Sequence, residues 1–263
     1  MLKKQAIVLV SFGTSEPEAK ASCLDTVTAD VRKDFPDYDV FEAWTSSFLM
    51  KKAAKAGTKM KSFGQVLAEL RLSGYERILV QPTHLTDGEE FNNKIIPEIE
   101  ANKSSFRELK LGKPVLAGTG PESYEGLLDR VLPLKELSDG EELVMMGHGS
   151  PNRHNAVYEW LQACADRHGL PIHIGVVEDT DWPNRDMVLA RLKKKGVSKV
   201  YLCPLLLTCG DHARNDMAGD DPDSWKNVIA EQGIKVRADY SGLGEKTSFR
   251  ALYISSLKEM ANS

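Results

Sequence analysis

The sequence predicts an α/β protein made of two related lobes, each with a mostly parallel sheet, and two observations carry that reading. Short apolar runs rich in Val, Ile and Leu alternate with helical patterns of a dozen or more residues, the signature of repeated βα units. The chain also repeats itself. Gly74-Tyr-Glu-Arg-Ile-Leu-Val-Gln-Pro82-Thr-His-Leu85-Thr86-Asp-Gly88 lies over Gly196-Val-Ser-Lys-Val-Tyr-Leu-Cys-Pro204-Leu-Leu-Leu207-Thr208-Cys-Gly210, with Gly, Pro, Leu, Thr and Gly recurring at one offset of 122. Val8-Leu9-Val10-Ser11-Phe12-Gly13-Thr14 matches Val144-Met145-Met146-Gly147-His148-Gly149-Ser150 at offset 136, and a weaker match sets Ala43-Trp44-Thr45-Ser46 over Val176-Val177-Glu178-Asp179 at offset 133. Three matches in one order point to duplication. The lobes expected are residues 1–135 and 136–263, joined around Pro133-Leu-Lys-Glu-Leu-Ser-Asp-Gly140.

The elements follow in order. Strands are expected to begin near Ala6, Tyr38, Arg77, Leu109, Glu142, Ile172, Lys199 and Ile234. The first helix has a start signal in Ser15-x-x-Glu18, a capping-box pattern, with Pro17 in the first turn. The apolar stretch Ala6-Ile7-Val8-Leu9-Val10 is too short to cross a bilayer or to act as the apolar part of an export signal, so it is read as the first strand.

Composition excludes several function classes. Hydrophobic residues make up 41% and charged residues 27% of the 263, which is ordinary for a globular protein. Lys and Arg number 34 against 38 Asp and Glu and are spread along the chain, so no basic stripe for nucleic acid is present. Cys23, Cys164, Cys203 and Cys209 show no scaffold spacing and read as reduced thiols of a cytoplasmic protein with no membrane partner.

Ligands of parallel α/β sheets bind beyond the carboxyl ends of the strands. The second lobe places His148 after one strand, Glu178 at the end of the next and His212 in the loop after the third; the first lobe has Phe12, Thr45 and Glu90 at the matching points. Each has a simpler reading. Gly147-His148-Gly149-Ser150 can bind an anion through its amides, Glu178 can be a solvated charge, and Asp211 beside His212 suits a helix N-cap. Convergence favours a site, since two imidazoles and a carboxylate suit Co²⁺, Fe²⁺, Ni²⁺ or Zn²⁺ and leave coordination positions open. His84 belongs to a strand-end loop of the first lobe. His154 and His168 fall on a helix pattern and His173 in a strand, where surface or core roles are commoner. Cys203 reads as a buried inert thiol, and Cys209, nearer the rim, would hold a transferable metal too tightly.

Val10-Ser-Phe-Gly-Thr-Ser15, Met146-Gly-His-Gly-Ser150, Gly175-Val-Val-Glu178 and Pro204-Leu-Leu-Leu-Thr-Cys-Gly-Asp-His-Ala-Arg-Asn-Asp-Met217 resemble the anaerobic sirohydrochlorin cobaltochelatases (CbiK type), of the class II chelatase superfamily. The similarity runs nearly end to end, through Gly219-Asp-Asp-Pro-Asp-Ser-Trp-Lys226 and Ser241-Gly-Leu-Gly244. The resemblance implies two Rossmann-like lobes facing a central cleft. It also implies Co²⁺ as a substrate held by His148, Glu178 and His212, sirohydrochlorin as the second substrate, and a cleft glutamate at Glu90. Lys51, Lys52, Arg153 and Arg214 are candidates by position for the substrate carboxylates.

Rival readings are insertion of Fe²⁺ or Ni²⁺ by the same fold, a metal or tetrapyrrole carrier, and a phosphohistidine loop. The last is disfavoured because Met145-Met146 stands where a phosphate-binding Arg is expected. Precorrin-2 as a second substrate and assembly into a homo-oligomer are left open.

Overall fold

The structure, a computed structural model, describes residues 4–128, 132–210 and 212–263, with the side chains of residues 212 and 213 outside that description. It is an α/β fold with two four-stranded sheets. The first holds β1 (Gln5–Ser11), β2 (Asp39–Trp44), β3 (Arg77–Pro82) and β4 (Glu108–Leu111) in the order β2-β1-β3-β4. The second holds β5 (Glu141–Gly147), β6 (Ile172–Val176), β7 (Lys199–Pro204) and β8 (Lys235–Ala238) in the order β6-β5-β7-β8. Every pairing is parallel. All eight strands start within a residue of the positions read from sequence; the inner strands β1, β3, β5 and β7 are short apolar runs buried on both faces, while β4 and β8 at the sheet edges are partly exposed. Ala6, Ile7, Val8 and Val10 of β1 are fully buried, as are Leu143, Val144, Met145 and Met146 of β5. Met145 and Met146 are thus core residues and leave no room for an arginine.

Helix ends repeat between the sheets as the strands do. Ser62 caps the helix Phe63–Leu72 with a full capping box through Gln65, and at the matching point Asn184 caps Arg185–Lys195 by accepting from the Met187 N–H. The latter helix ends in Lys193, Lys194 and Lys195, which face its negative pole, and stops at Gly196 in the left-handed region, φ 68°.

Two expectations change. The Ser15 capping box does not form. The first helical turn, Pro17–Ala19, begins one residue late, so Glu16 holds the cap position. Ser15 Oγ instead meets Glu16 and accepts from Lys52 Nζ (3.0 Å). Pro17 does occupy the first turn.

The division of the chain also differs from 1–135 and 136–263. One compact unit is Met1–Ala117 with Thr247–Ser263, and the other is Gly118–Lys246. At the C-terminal end the cause is the last helix, Thr247–Asn262, whose Phe249, Tyr253 and Leu257 recur every fourth residue on one fully buried face. That face belongs to the first unit's core: the Tyr253 hydroxyl donates to the Thr83 carbonyl (2.9 Å), and Arg250 pairs with Asp30 (2.6 Å). Burying three such side chains contributes roughly 1.5–3 kcal/mol each, more than any linker preference. Among the described residues no helix is long and apolar enough to cross a membrane.

Candidate functional site

In the second unit β5 is central, so the loops leaving β6 and β7 flank the loop leaving β5. The sheet ladder continues past the strands. The Val177 N–H donates to the Gly147 carbonyl (3.0 Å), the Glu178 N–H to the His148 carbonyl (3.1 Å), and the Leu205 N–H to the Met146 carbonyl (2.8 Å). Backbone bonds therefore fix His148 and Glu178 side by side. His148 Nδ1 lies 3.8 Å from Glu178 Oε1, with 42% and 28% of the two side chains exposed.

Both glycines around His148 are required. A Cβ on Gly147 would stand 2.3 Å from Tyr158 Cε1, and one on Gly149 2.9 Å from Val176 Cβ and 3.2 Å from Glu178 Cβ. Gly149 also has φ 80°, where a side chain is strained. Gly-His-Gly here is the pattern that lets a histidine approach the neighbouring strand end closely, beside a carboxylate.

His212 opens a π-helical turn, His212–Met217, after β7, while its side chain lies outside the described residues. Such turns are rare and concentrate at functional sites. Among the described residues no three His, Cys, Asp or Glu side chains form a ligand group, so His148 and Glu178 are the part of the expected triad brought together there. Arg153, Arg214 and Lys51 are exposed.

The first unit repeats the frame with other side chains. Ser46 N–H donates to the Phe12 carbonyl (3.2 Å) and Thr83 N–H to the Val10 carbonyl (2.9 Å). A π-helical turn, Phe91–Ile95, follows Glu90 as the one in the second unit begins at His212, and a further one, Lys20–Leu24, lies after the first helical turn. One alignment needs correction: Ser46, not Thr45, is the counterpart of Glu178. Trp44 pairs with Ser11 as Val176 pairs with Gly147, so Val176 and not Val177 matches Trp44. The strands share no identical residue there, and a slip of one turns every side chain to the other face.

Around Glu90 the side chains form their own cluster. Lys94 Nζ pairs with Glu90 Oε1 (2.8 Å) and donates to the Thr45 carbonyl (3.3 Å), and His84 Nε2 lies 3.4 Å from Thr45 Oγ1. Glu90 Oε2 and His84 Nδ1 are buried without a hydrogen-bond partner among the described residues. Burial pushes the His84 imidazole from 6.5 down to about 4, which the Glu90 carboxylate only partly offsets. The unfolded chain therefore takes up this proton near pH 6.5 and the folded chain only near 4. The stability from a neutral His84 is complete above 6.5 and is lost as pH falls toward 4, by about 3 kcal/mol. Urea unfolding at a series of pH values should show His84→Gln losing less stability across this window than the parent. Equal losses would remove His84 as the cause.

The remaining histidines separate by environment. His173 is fully buried in β6 against Glu142 (2.5 Å), and burial lowers its pKa, as suits a core residue. His168 is exposed just past the helix Val157–Arg167. His154 is not helical; it sits in the loop ahead of that helix, on Asp181. Asp181 was not singled out from sequence, since a Glu-Asp-Thr-Asp run reads as solvated charge and only the fold shows Asp181 buried. All four cysteines are buried thiols, and burial pushes Cys203 up to about 12.

Comparison with known proteins matches the sequence to a family and the fold to solved structures. The model of the cobalt chelatase family (CbiK) covers residues 5–262. The sirohydrochlorin cobaltochelatase of Salmonella typhimurium is 33% identical over 261 residues, covering 98% of this chain and 97% of that protein. The sirohydrochlorin cobaltochelatase CbiKC of Nitratidesulfovibrio vulgaris is 31% identical over 259 residues, covering 97% and 90%. The sirohydrochlorin chelatase SirB of Bacillus subtilis subspecies spizizenii, solved in complex with cobalt, shares the fold with a TM-score of 0.64 at 15% identity, covering 98% and 96%. Matched from its first strand to its last helix and a third identical to a cobaltochelatase along almost the whole of both chains, this protein belongs to the cobalt chelatase (CbiK) family.

Proposed function

We propose that this chain is a cytoplasmic sirohydrochlorin cobaltochelatase, a lyase-type metal chelatase that inserts Co²⁺ into sirohydrochlorin. The observation that carries the reading is the His148–Glu178 pair, held by backbone bonds at the end of a central strand, in a chain a third identical to a sirohydrochlorin cobaltochelatase. His148, Glu178 and His212 hold the incoming Co²⁺. Two neutral imidazoles and one carboxylate bind a borderline divalent ion and leave positions where ring nitrogens replace water. Insertion also requires two pyrrole N–H protons to leave, and metal binding and proton release are linked. Glu178 accepts one, and a histidine whose nitrogen is freed as the ion passes to the ring accepts the other. Glu90, the glutamate that the family resemblance implies, is the remaining residue of the proposed catalytic set.

The same donors accept Fe²⁺ and Ni²⁺, so metal preference is a matter of rate. The test is an anaerobic absorbance assay with purified protein, sirohydrochlorin in excess and a panel of divalent metals. Multiple turnovers with Co²⁺, faster than with Fe²⁺ or Ni²⁺, are expected. Stoichiometric binding without turnover would make the protein a carrier, and faster turnover with Fe²⁺ or Ni²⁺ would assign it a different metal.

A further inference from the structure

We infer that Asp181 is the positioning residue that sets the spacing of His148 and Glu178; this rests on the reading of those two as metal ligands. Asp181 closes the turn that begins at Glu178, its N–H donating to the Glu178 carbonyl (3.0 Å). Its side chain is completely buried, yet it reaches the loop that leaves His148. Oδ2 accepts the Ser150 N–H (2.9 Å), two residues past His148. Oδ1 accepts the Asn155 N–H (3.2 Å), the Trp182 N–H (2.8 Å) and His154 Nδ1 (2.7 Å).

Four N–H donors thus converge on one buried carboxylate, two of them main-chain groups of the His148 loop and one from its own turn. A charged acceptor makes such bonds about twice as strong as neutral ones, and burial removes competition from water. The backbone ladder ends at the Glu178 N–H, so beyond it Asp181 ties the two loops together. His154, the outermost donor, is fixed in turn by Glu159 at Nε2 (2.9 Å) and by the indole of Trp182, stacked at 3.7 Å with the rings 3° from parallel.

The chemistry of the carboxylate gives a sharp test. Asp181→Asn keeps size, and with its carbonyl oxygen at the Oδ1 position it still accepts three of the donors. Its amide nitrogen then meets the Ser150 N–H, donor against donor, so the bond nearest His148 is the one lost. Supporting groups around metal ligands typically contribute 10–100-fold to affinity, and Asp181→Asn is expected to weaken Co²⁺ binding about tenfold. Affinity for metal-free sirohydrochlorin and the KM for it should stay at the parent values, while kcat falls.

Co²⁺ titration calorimetry under anaerobic conditions, sirohydrochlorin fluorescence quenching and steady-state kinetics on the full chain give these readouts. Thermal melting separates positioning from stability: a lower Tm with parent-like Co²⁺ affinity would overturn the inference. Should Asp181→Asn not fold, His154→Ala, which removes a partly exposed donor, is expected to raise the Co²⁺ Kd in the same direction by less, and an unchanged Kd there would overturn it equally. His148→Ala is run alongside. If that variant also keeps its Co²⁺ affinity, the ligand assignment fails; if only the Asp181 variant does, the ligands stand and the clamp falls.

Discussion

His148→Ala loses cobalt insertion beyond about 100-fold while the protein stays folded, because supporting residues alone contribute 10–100-fold and a direct ligand contributes more. The structural half of the expectation rests on exposure. With 42% of its side chain in solvent and its backbone bonds independent of the imidazole, His148 can be truncated for a stability change within about 0.5 kcal/mol. The same outcome is expected for His212→Ala, at the start of the π-helical turn after β7. Circular dichroism with the anaerobic insertion assay checks both. Near-parental turnover in either variant takes that histidine out of the site, and lost secondary structure would show that its role is in folding.

Glu178→Gln separates a delivery site from a site that only binds metal. The amide preserves volume and can still coordinate weakly through its oxygen, but it neither lowers the charge of the bound ion nor accepts a proton near neutral pH. Loss of a positioned proton acceptor costs on the order of 100-fold, so turnover should fall by about that much with sirohydrochlorin binding retained. Glu90→Gln is expected to cost less, since Glu90 is already tied to Lys94 (2.8 Å) and its other oxygen is buried without a partner among the described residues. Parental rates for Glu178→Gln from about pH 6 to 8 would move the proton acceptor to a histidine.

What could be read from the sequence was what local chemistry dictates. The inner strands are legible because fully buried parallel strands must be short apolar runs, and Gly-His-Gly marks a strand end because only glycine tolerates the packing of Tyr158 and the φ of Gly149. What escaped was long-range. Phe249, Tyr253 and Leu257 announce an amphipathic face but not which sheet it covers, so the last helix, expected with the second lobe, falls in the first compact unit. The register of β2 against β6 slipped by one because Ala-Trp-Thr-Ser and Val-Val-Glu-Asp share no residue to anchor it. Asp181 looked like its acidic neighbours, and only its depth distinguishes it.

The matched ladders at the two strand ends bear on how such a protein changes over generations. The peptide bonds that hold Ser46 against Phe12 are those that hold Glu178 against His148, and a left-handed glycine follows each centre strand, Gly13 and Gly149. Main-chain architecture is therefore common to both halves, while the side chains proposed as ligands, His148 and Glu178, are partly exposed. A lineage with this scaffold can retire or recruit a ligand in one half by single substitutions, without re-solving the fold and without disturbing the other half. Divergence in which ion is delivered, and from which rim, is accessible by short mutational steps.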